Sequence, residues 1–223
     1  DWSWVAPHQN PYREWIGAQI RADPFGYATP GDPQRAAALA WRDARMSHVK
    51  NGIYGEMFVA AMIAAAFALD DPAAVVRAGM NEIPRTSRLH AELETTLSIC
   101  DEHGCDAGRF EAVIDALYQN FNHYHAVHTS NNAALVAAAL LLSAGDFHRG
   151  VSIAVMGGWD TDCNGATVGS IIGAMRGADA LPGHWTDRLH DTLYSAIVGY
   201  HPIAISECAR RSVAIARQFA DIG

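Results

Sequence analysis

The sequence has no hydrophobic run long enough to cross a bilayer. Its longest apolar stretch, Met57 to Leu69, covers about 13 residues and directly follows Glu56. A membrane helix needs roughly 18 to 20, so this stretch reads as a buried core helix and no membrane role is expected. Basic clusters are also missing: Lys and Arg total 16 against 24 Asp and Glu, for a formal net charge of −8. Nothing in that balance favours nucleic acid or an anionic membrane surface. A phosphate-bearing substrate would have to be met by local basic groups or backbone N–H groups. Cysteine is scarce, with four residues in 223, too few for a disulfide scaffold and consistent with a reducing, cytoplasmic compartment. Cys100 and Cys105 flank Asp-Glu-His-Gly, but the spacing matches no standard zinc pattern, and they read as loop cysteines. No secretory signal is recognised.

Alternating apolar and polar residues are missing too, as are internal repeats and linkers. What remains is helical. Residues 1–34, rich in Pro, Trp and Gly, read as loops with at most a short helix near Tyr12–Ile20. Helices are predicted over Ala36–Asn51, Ile53–Leu69, Asp71–Met80, Ser87–Cys100, Asp106–Asn122 and Phe147–Met156. In the fifth of these, Phe110, Val113, Ile114, Leu117 and Phe121 recur at spacings of three and four. Asn131 or Asn132 is expected to cap a helix from Ala133 to Ala144, and Asn164 one from Gly165 to Ala180. Leu189–Gly199 and Ile203–Asp221 complete the set. Gly169, Gly173 and Gly177 share one stripe, and interior glycine costs about 1 kcal/mol each relative to Ala, so the stripe predicts a close helix crossing. The expected architecture is all-α, a single domain over residues 1–223 of about eight to ten packed helices, an orthogonal multi-helix bundle.

Chemistry concentrates in Gly157-Gly158-Trp159-Asp160-Thr161-Asp162-Cys163-Asn164. Asp160 and Asp162 lie between two predicted helices, and in extended backbone side chains two apart face the same side. Two carboxylates aimed at one centre repel unless a cation lies between them, and hard oxygen ligands suit Mg²⁺, Mn²⁺ or Ca²⁺ rather than zinc. An Asx-turn or helix cap would account for one of the two but not readily for both. His123, His125 and His128 form His-x-His-x-x-His, but without a Cys or acidic residue at suitable spacing they do not read as a zinc site.

The stretch Gly157 to Ala174, with its small-residue helix and repeated glycine, resembles the C-terminal signature of the ADP-ribosylglycohydrolases. That pattern is Gly-Gly-Asp-Thr-Asp-Thr; here a Trp is inserted, and Cys163 stands where the family carries a metal-ligating Thr. The Trp-Asp-Thr-Asp-Cys-Asn form looks like that of a bacterial subgroup. Weaker similarity runs upstream. Gly17 to Gly26 resembles the family's Gly-rich substrate loop, Ser47-His48 with Asn51-Gly52 its Thr-His segment near the diphosphate, and His128 to Asn132 its polar loop beside the ribose.

The resemblance implies hydrolysis of a glycosidic bond at C1 of an ADP-ribose, with two Mg²⁺ ions (Mn²⁺ as the substitute) and an ADP-ribosylated protein or small molecule as substrate. Asp160 and Asp162 are the implied ligands, with Cys163 the anomalous third, since a neutral thiol is a poor Mg²⁺ ligand. Gln19, Arg21, His48 and Asn51 are the implied contacts to the diphosphate or terminal ribose. Asn131 and Asn132 are implied to line the ribose pocket, and Gly158 and Trp159 to bind the substrate. No residue is assigned the acid/base role. The family's other ligand group, Thr-Asp-Asp near the N-terminus, has no counterpart here: Asp70-Asp71 sits at a predicted helix junction, and 16 residues precede Gly17. The expectation is therefore a C-terminal part of such an enzyme, with that segment outside the chain. Two alternatives stay open, a hydrolase of another ribosyl or NAD-derived metabolite and a non-catalytic, crystallin-like relative.

Overall fold

The computed structural model of the protein describes residues 2–220; Asp1 and Asp221, the expected end of the last helix, lie outside them. A turn of helix, α1 (Trp2–Val5), and a 3-10 turn at Gln19–Arg21 precede α2 (Asp23–Ala28), α3 (Pro33–Ala44), α4 (Asn51–Ala66), α5 (Pro72–Asn81) and α6 (Arg88–His103). Then come α7 (Phe110–Phe121), α8 (Thr129–Ser143), α9 (Phe147–Met156) and α10 (Thr161–Arg176). A less regular segment carries α11 (Gly183–Thr186), the strands β1 (Thr192–Leu193) and β2 (Ile203–Ala204), and α12 (Ile205–Ala220). The all-α class read from the sequence is the one observed.

Two helices make the centre. α4 and α8 are rich in alanine and buried on nearly every face, and a helix without a polar face is stable only when it is surrounded. α2, α3, α5 and α10 pack on α4, while α6, α7, α9 and α10 pack on α8. Phe58, Met62 and Ile63 from α4 and Leu135, Leu140 and Leu142 from α8 are among the largest fully buried side chains. The stripe predicted on α7 is present: Val113, Leu117 and Phe121 are buried, and Phe110 and Ile114 pack at its edge.

Local sequence sets most helix starts. Asp32 accepts from Arg35 N–H at 3.0 Å, Asp71 from Ala73 and Ala74, Ser87 from His90, and Asp146 from Arg149 at 2.8 Å. Each such cap is worth about 1 kcal/mol. Pro24, Pro33 and Pro72 occupy first-turn positions, where the missing N–H has no helical partner to lose.

Three sequence expectations are corrected. α8 begins at Thr129, capped by the His128 imidazole, whose Nδ1 accepts from Ser130 N–H at 3.1 Å. Asn131 and Asn132 lie inside that helix, and Asn164 likewise lies inside α10, which begins at Thr161; Asn131 bonds back to the turn before α8, while Asn132 and Asn164 bond each other across the two helices. Leu189–Gly199 is not a helix, because His190 and Asp191 take left-handed φ values of 47° and 50° and turn the chain into the β1–β2 hairpin. In the glycine stripe, a Cβ on Gly169 would meet Val151 at 3.5 Å, but one on Gly173 would meet nothing within 4 Å. Gly177 is the positive-φ cap of α10. The stripe thus backs an open, apolar groove of about 850 Å³ between α10 and α12 rather than a tight crossing.

Candidate metal and substrate site

The site grows from a forced turn. α9 ends at Met156, and Gly158 follows at φ 82°, a conformation that strains any side chain. A Cβ there would also strike the Tyr118 hydroxyl. Trp159 is left-handed as well, at φ 53°. It is braced by stacking on Tyr118, with ring centroids 4.5 Å apart and planes 13° from parallel. Tyr118 Oη donates to the Gly157 carbonyl at 3.1 Å. The inserted Trp therefore has a partner, and Tyr118 braces the loop at two points.

That shape delivers Asp160 to the N-cap position of α10. The segment is not extended as expected; Asp160 has φ −93° and ψ 76°, and helix begins at Thr161. The first helical turn nevertheless brings the side chains together. One ligand atom each from Asp160, Asp162 and Cys163 lies within 4.8 Å of the others. Asp160 caps nothing, although Asp32, Asp71 and Asp146 in the same position each accept a backbone N–H. Its carboxylate is left to the site.

Burial raises the Asp160 pKa; hydrogen bonding to Cys163 lowers it, and the Asp162 carboxylate raises it again. The Cys163 thiol is pushed up to about 12 by burial and by the two carboxylates, and it points at Asp162 Oδ2 from 3.9 Å. Two converging carboxylates fit a divalent cation. The thiol does not fit an all-oxygen Mg²⁺ shell.

Behind the loop, Asn132 Oδ1 accepts from Asp160 N–H at 3.1 Å and from Asn164 Nδ2 at 2.8 Å. Its own Nδ2 donates to the Ala126 and His128 carbonyls at 2.8 and 2.7 Å. Asn131 donates to the His125 carbonyl at 3.3 Å, while its Oδ1 is buried without a hydrogen-bond partner.

A second polar cluster surrounds Arg21. The guanidinium donates from Nε to Asp43 at 2.5 Å, from NH2 to Ser47 Oγ at 2.8 Å and from NH1 to the Gly17 carbonyl at 3.2 Å. His48 Nδ1 lies 2.8 Å from the same Ser47 Oγ. Burial and the Arg21 charge lower the His48 pKa to about 4, so the ring is neutral at ordinary pH. Beneath them, the fully buried Glu56 is raised to about 9 by burial and the Asp43 charge, against a smaller opposite pull from Arg21, 3.9 Å away. Gln19 is fully buried and its amide has no hydrogen-bond partner. Gly55 leaves room for both Gln19 and Thr129, the first residue of α8. Gln19 and the first residue of α8 thus both lie beside Gly55, and Asn132, further along α8, reaches the Asp160 loop.

The expected site residues divide by depth. Asp162 is exposed, and Arg21, Gly158, Trp159, Asp160 and Cys163 are partly exposed. Gln19, His48, Asn51, Asn131 and Asn132 lie beneath them. Asn51 uses both ends of its amide on the protein, donating to Glu14 at 2.7 Å and accepting from Leu89 N–H at 3.0 Å. His125 stacks on Trp15 and His128 on Tyr124, and among the described residues the three histidines form no group that could hold a metal ion. Sequence reasoning missed Asp43, Glu56 and Tyr118. For Glu56 a signal existed: an acid at the head of the longest apolar run, with no solvent to charge it.

No protein of curated function matches the chain. The family model described as ADP-ribosylglycohydrolase matches residues 2–217, so the similarity is not confined to a C-terminal part. The chain belongs to the ADP-ribosylglycohydrolase family and is a hydrolase of the glycosidase class.

Proposed function

We propose that the protein cleaves the glycosidic bond of an ADP-ribosyl group, releasing ADP-ribose from a protein or small-molecule acceptor, with a divalent cation held by Asp160 and Asp162. The observation that carries this reading is the convergence of those carboxylates on a loop with a single supported shape. Mg²⁺ is the ion implied by resemblance to the family, with Mn²⁺ as its substitute. When bound, such an ion supplies Lewis acidity and a template for the ribose hydroxyls and a water.

The chain's own residues do the rest. Asn132 fixes the Asp160 backbone, so the ligand does not reorganise as the ion arrives. Gly158 and the edge of Trp159 form the wall beside the metal, where the ribose would lie. Arg21 is the charged group available to the diphosphate; Asp43, Ser47 and Gly17 hold its guanidinium in one pose. Gln19, His48, Asn51 and Asn131 support that surface from below, and a neutral His48 leaves Arg21 as the cation of the cluster.

The test is release of free ADP-ribose, followed by chromatography, from an ADP-ribosylated protein and from a small-molecule conjugate. It is run with Mg²⁺, with Mn²⁺ and with chelator, alongside ADP-ribose binding by calorimetry. Metal-dependent release that Asp162→Ala abolishes is expected. Neither release nor ADP-ribose binding in any divalent ion would overturn the reading.

A further inference from the structure

We propose that the groove between α10 and α12 binds a free long-chain carboxylate, with the alkyl tail along the groove and the head group at Arg217. The proposal is independent of the Asp160–Asp162 pair, which lies at the start of α10, whereas the groove is lined from Gly169 onward.

The groove follows from a helix that has no core to serve. In α12, Ile205, Ala209, Val213, Ala216 and Ala220 recur at spacings of three and four and line the groove, yet no side chain of the helix is buried. An apolar stripe of this kind ordinarily faces something that covers it. Here α10 does not cover it, because Gly169, Gly173 and Gly177 line the other wall without side chains and leave about 850 Å³ open. Phe67 and Val213 line the same groove and remain 46% and 49% exposed. Exposed apolar surface gathered in a concave site marks a place where a ligand binds.

The fold also holds this groove open. α12 packs on α2, and near its end Arg35 donates to the Phe219 carbonyl at 2.8 Å and lies over the Phe219 ring. Between Gly169 and Ala178 the α10 wall runs about 14 Å, at 1.5 Å per residue, and an extended alkyl chain can lie along it.

The chemistry of the lining selects the occupant. Its polar groups are Tyr27, Ser170, Cys208, Ser212 and Arg217, with no acid among them. Tyr27 Oη and Ser170 Oγ bond each other at 2.5 Å, and Ser212 Oγ donates to the Cys208 carbonyl at 3.0 Å. Arg217 is exposed at the rim and, among the described residues, makes no ion pair or hydrogen bond. One cation beside an apolar slot complements one negative charge on a tail that needs no hydrogen bonds. An extended peptide would bring an N–H and a C=O at each residue, and the slot has little to pair with them. A second copy on a two-fold axis would set the slot against itself; a hollow does not fill a hollow, and the two Arg217 charges would be brought together.

Calorimetry on the whole chain with decanoate, dodecanoate and decanol, each below its micellar concentration, tests the proposal. Saturable binding is expected, with dodecanoate up to about 15-fold tighter than decanoate for its two further buried methylenes. Gly173→Leu fills the groove: a Cβ there meets nothing within 4 Å, and Leu is the better helix former. Its melting temperature should hold or rise while dodecanoate affinity falls at least 10-fold. Arg217→Gln should weaken dodecanoate by about 5-fold and leave decanol unchanged. Bound dodecanoate should also slow deuterium exchange over residues 205–220. No saturable binding, or binding that Gly173→Leu leaves intact, overturns the proposal, as does an equal loss of dodecanoate and decanol in Arg217→Gln. A dimer that Gly173→Leu dissociates, with no carboxylate bound, overturns it in favour of a second copy. Binding to anionic vesicles without uptake of the monomeric carboxylate overturns it in favour of a membrane surface.

Discussion

Asn132 accepts the Asp160 backbone N–H at 3.1 Å, tying the interior of α8 to the loop that carries the Asp160–Asp162 pair. The same oxygen takes Asn164 Nδ2, and the other end of the amide holds two carbonyls of the turn before α8. One buried side chain therefore joins three segments.

Asn132→Ala removes this junction and leaves buried donors and acceptors unpaired. A loss of about 2–4 kcal/mol is expected, read as a lower urea midpoint. Metal affinity should fall as well, because Asp160 loses its anchor. Asn132→Asp keeps the acceptor but sets a buried carboxylate oxygen against the Ala126 and His128 carbonyls, and should cost at least as much as the alanine variant.

Glu56 gives the protein an alkaline weakness. Its folded pKa is raised from 4.5 to about 9, chiefly by burial. A carboxyl that holds its proton more tightly when folded contributes full stability below about pH 4.5 and loses it progressively as pH rises through about 9. Glu56→Gln keeps the shape of the neutral acid and should flatten that decline. Urea midpoints at pH 6, 7.5 and 9 test this; equal slopes for both proteins would show that Glu56 is not held neutral.

His128 sets a limit on the acid side. It must be neutral for Nδ1 to accept the Ser130 N–H, and burial chiefly lowers its pKa from 6.5 to about 4. A histidine depressed on folding contributes stability above about pH 6.5 that is lost as pH falls towards 4. His48, also lowered to about 4, adds to the same limb. His128→Asn retains a cap and should make stability less steep between pH 6.5 and 4, leaving the part owed to His48. An unchanged slope in urea titrations would rule the imidazole out as a source.

How far the sequence could be read depended on how far apart the partners lie. Asp71 and Ser87 announce their helices because a capping oxygen reaches only two or three residues ahead. The Gly157-Gly158 turn and the Asp160–Asp162 pair were legible for the same local reason. Asn132 and Asn164 look like caps in sequence, and only folding shows that they meet each other across 32 positions. Trp159 reads as an insertion until Tyr118, on another helix, supplies the ring beneath it. The hairpin at Thr192 was misread because nothing in Leu189–Gly199 announces that His190 and Asp191 turn left-handed.

α12 carries no buried side chain, whereas α4 and α8 are buried almost throughout. The two regions should therefore answer thermal fluctuation on different scales. Opening α12 exposes little new apolar surface, so it forms a low-energy cooperative unit. Its amides should exchange with deuterium well before those of the central pair. The start of α8, and through Asn132 the backbone of Asp160, belongs to the slow set that opens only with the whole molecule. Transient release of residues 205–220 would leave Asp160 and Asp162 in register, and their loop inherits the lifetime of the core.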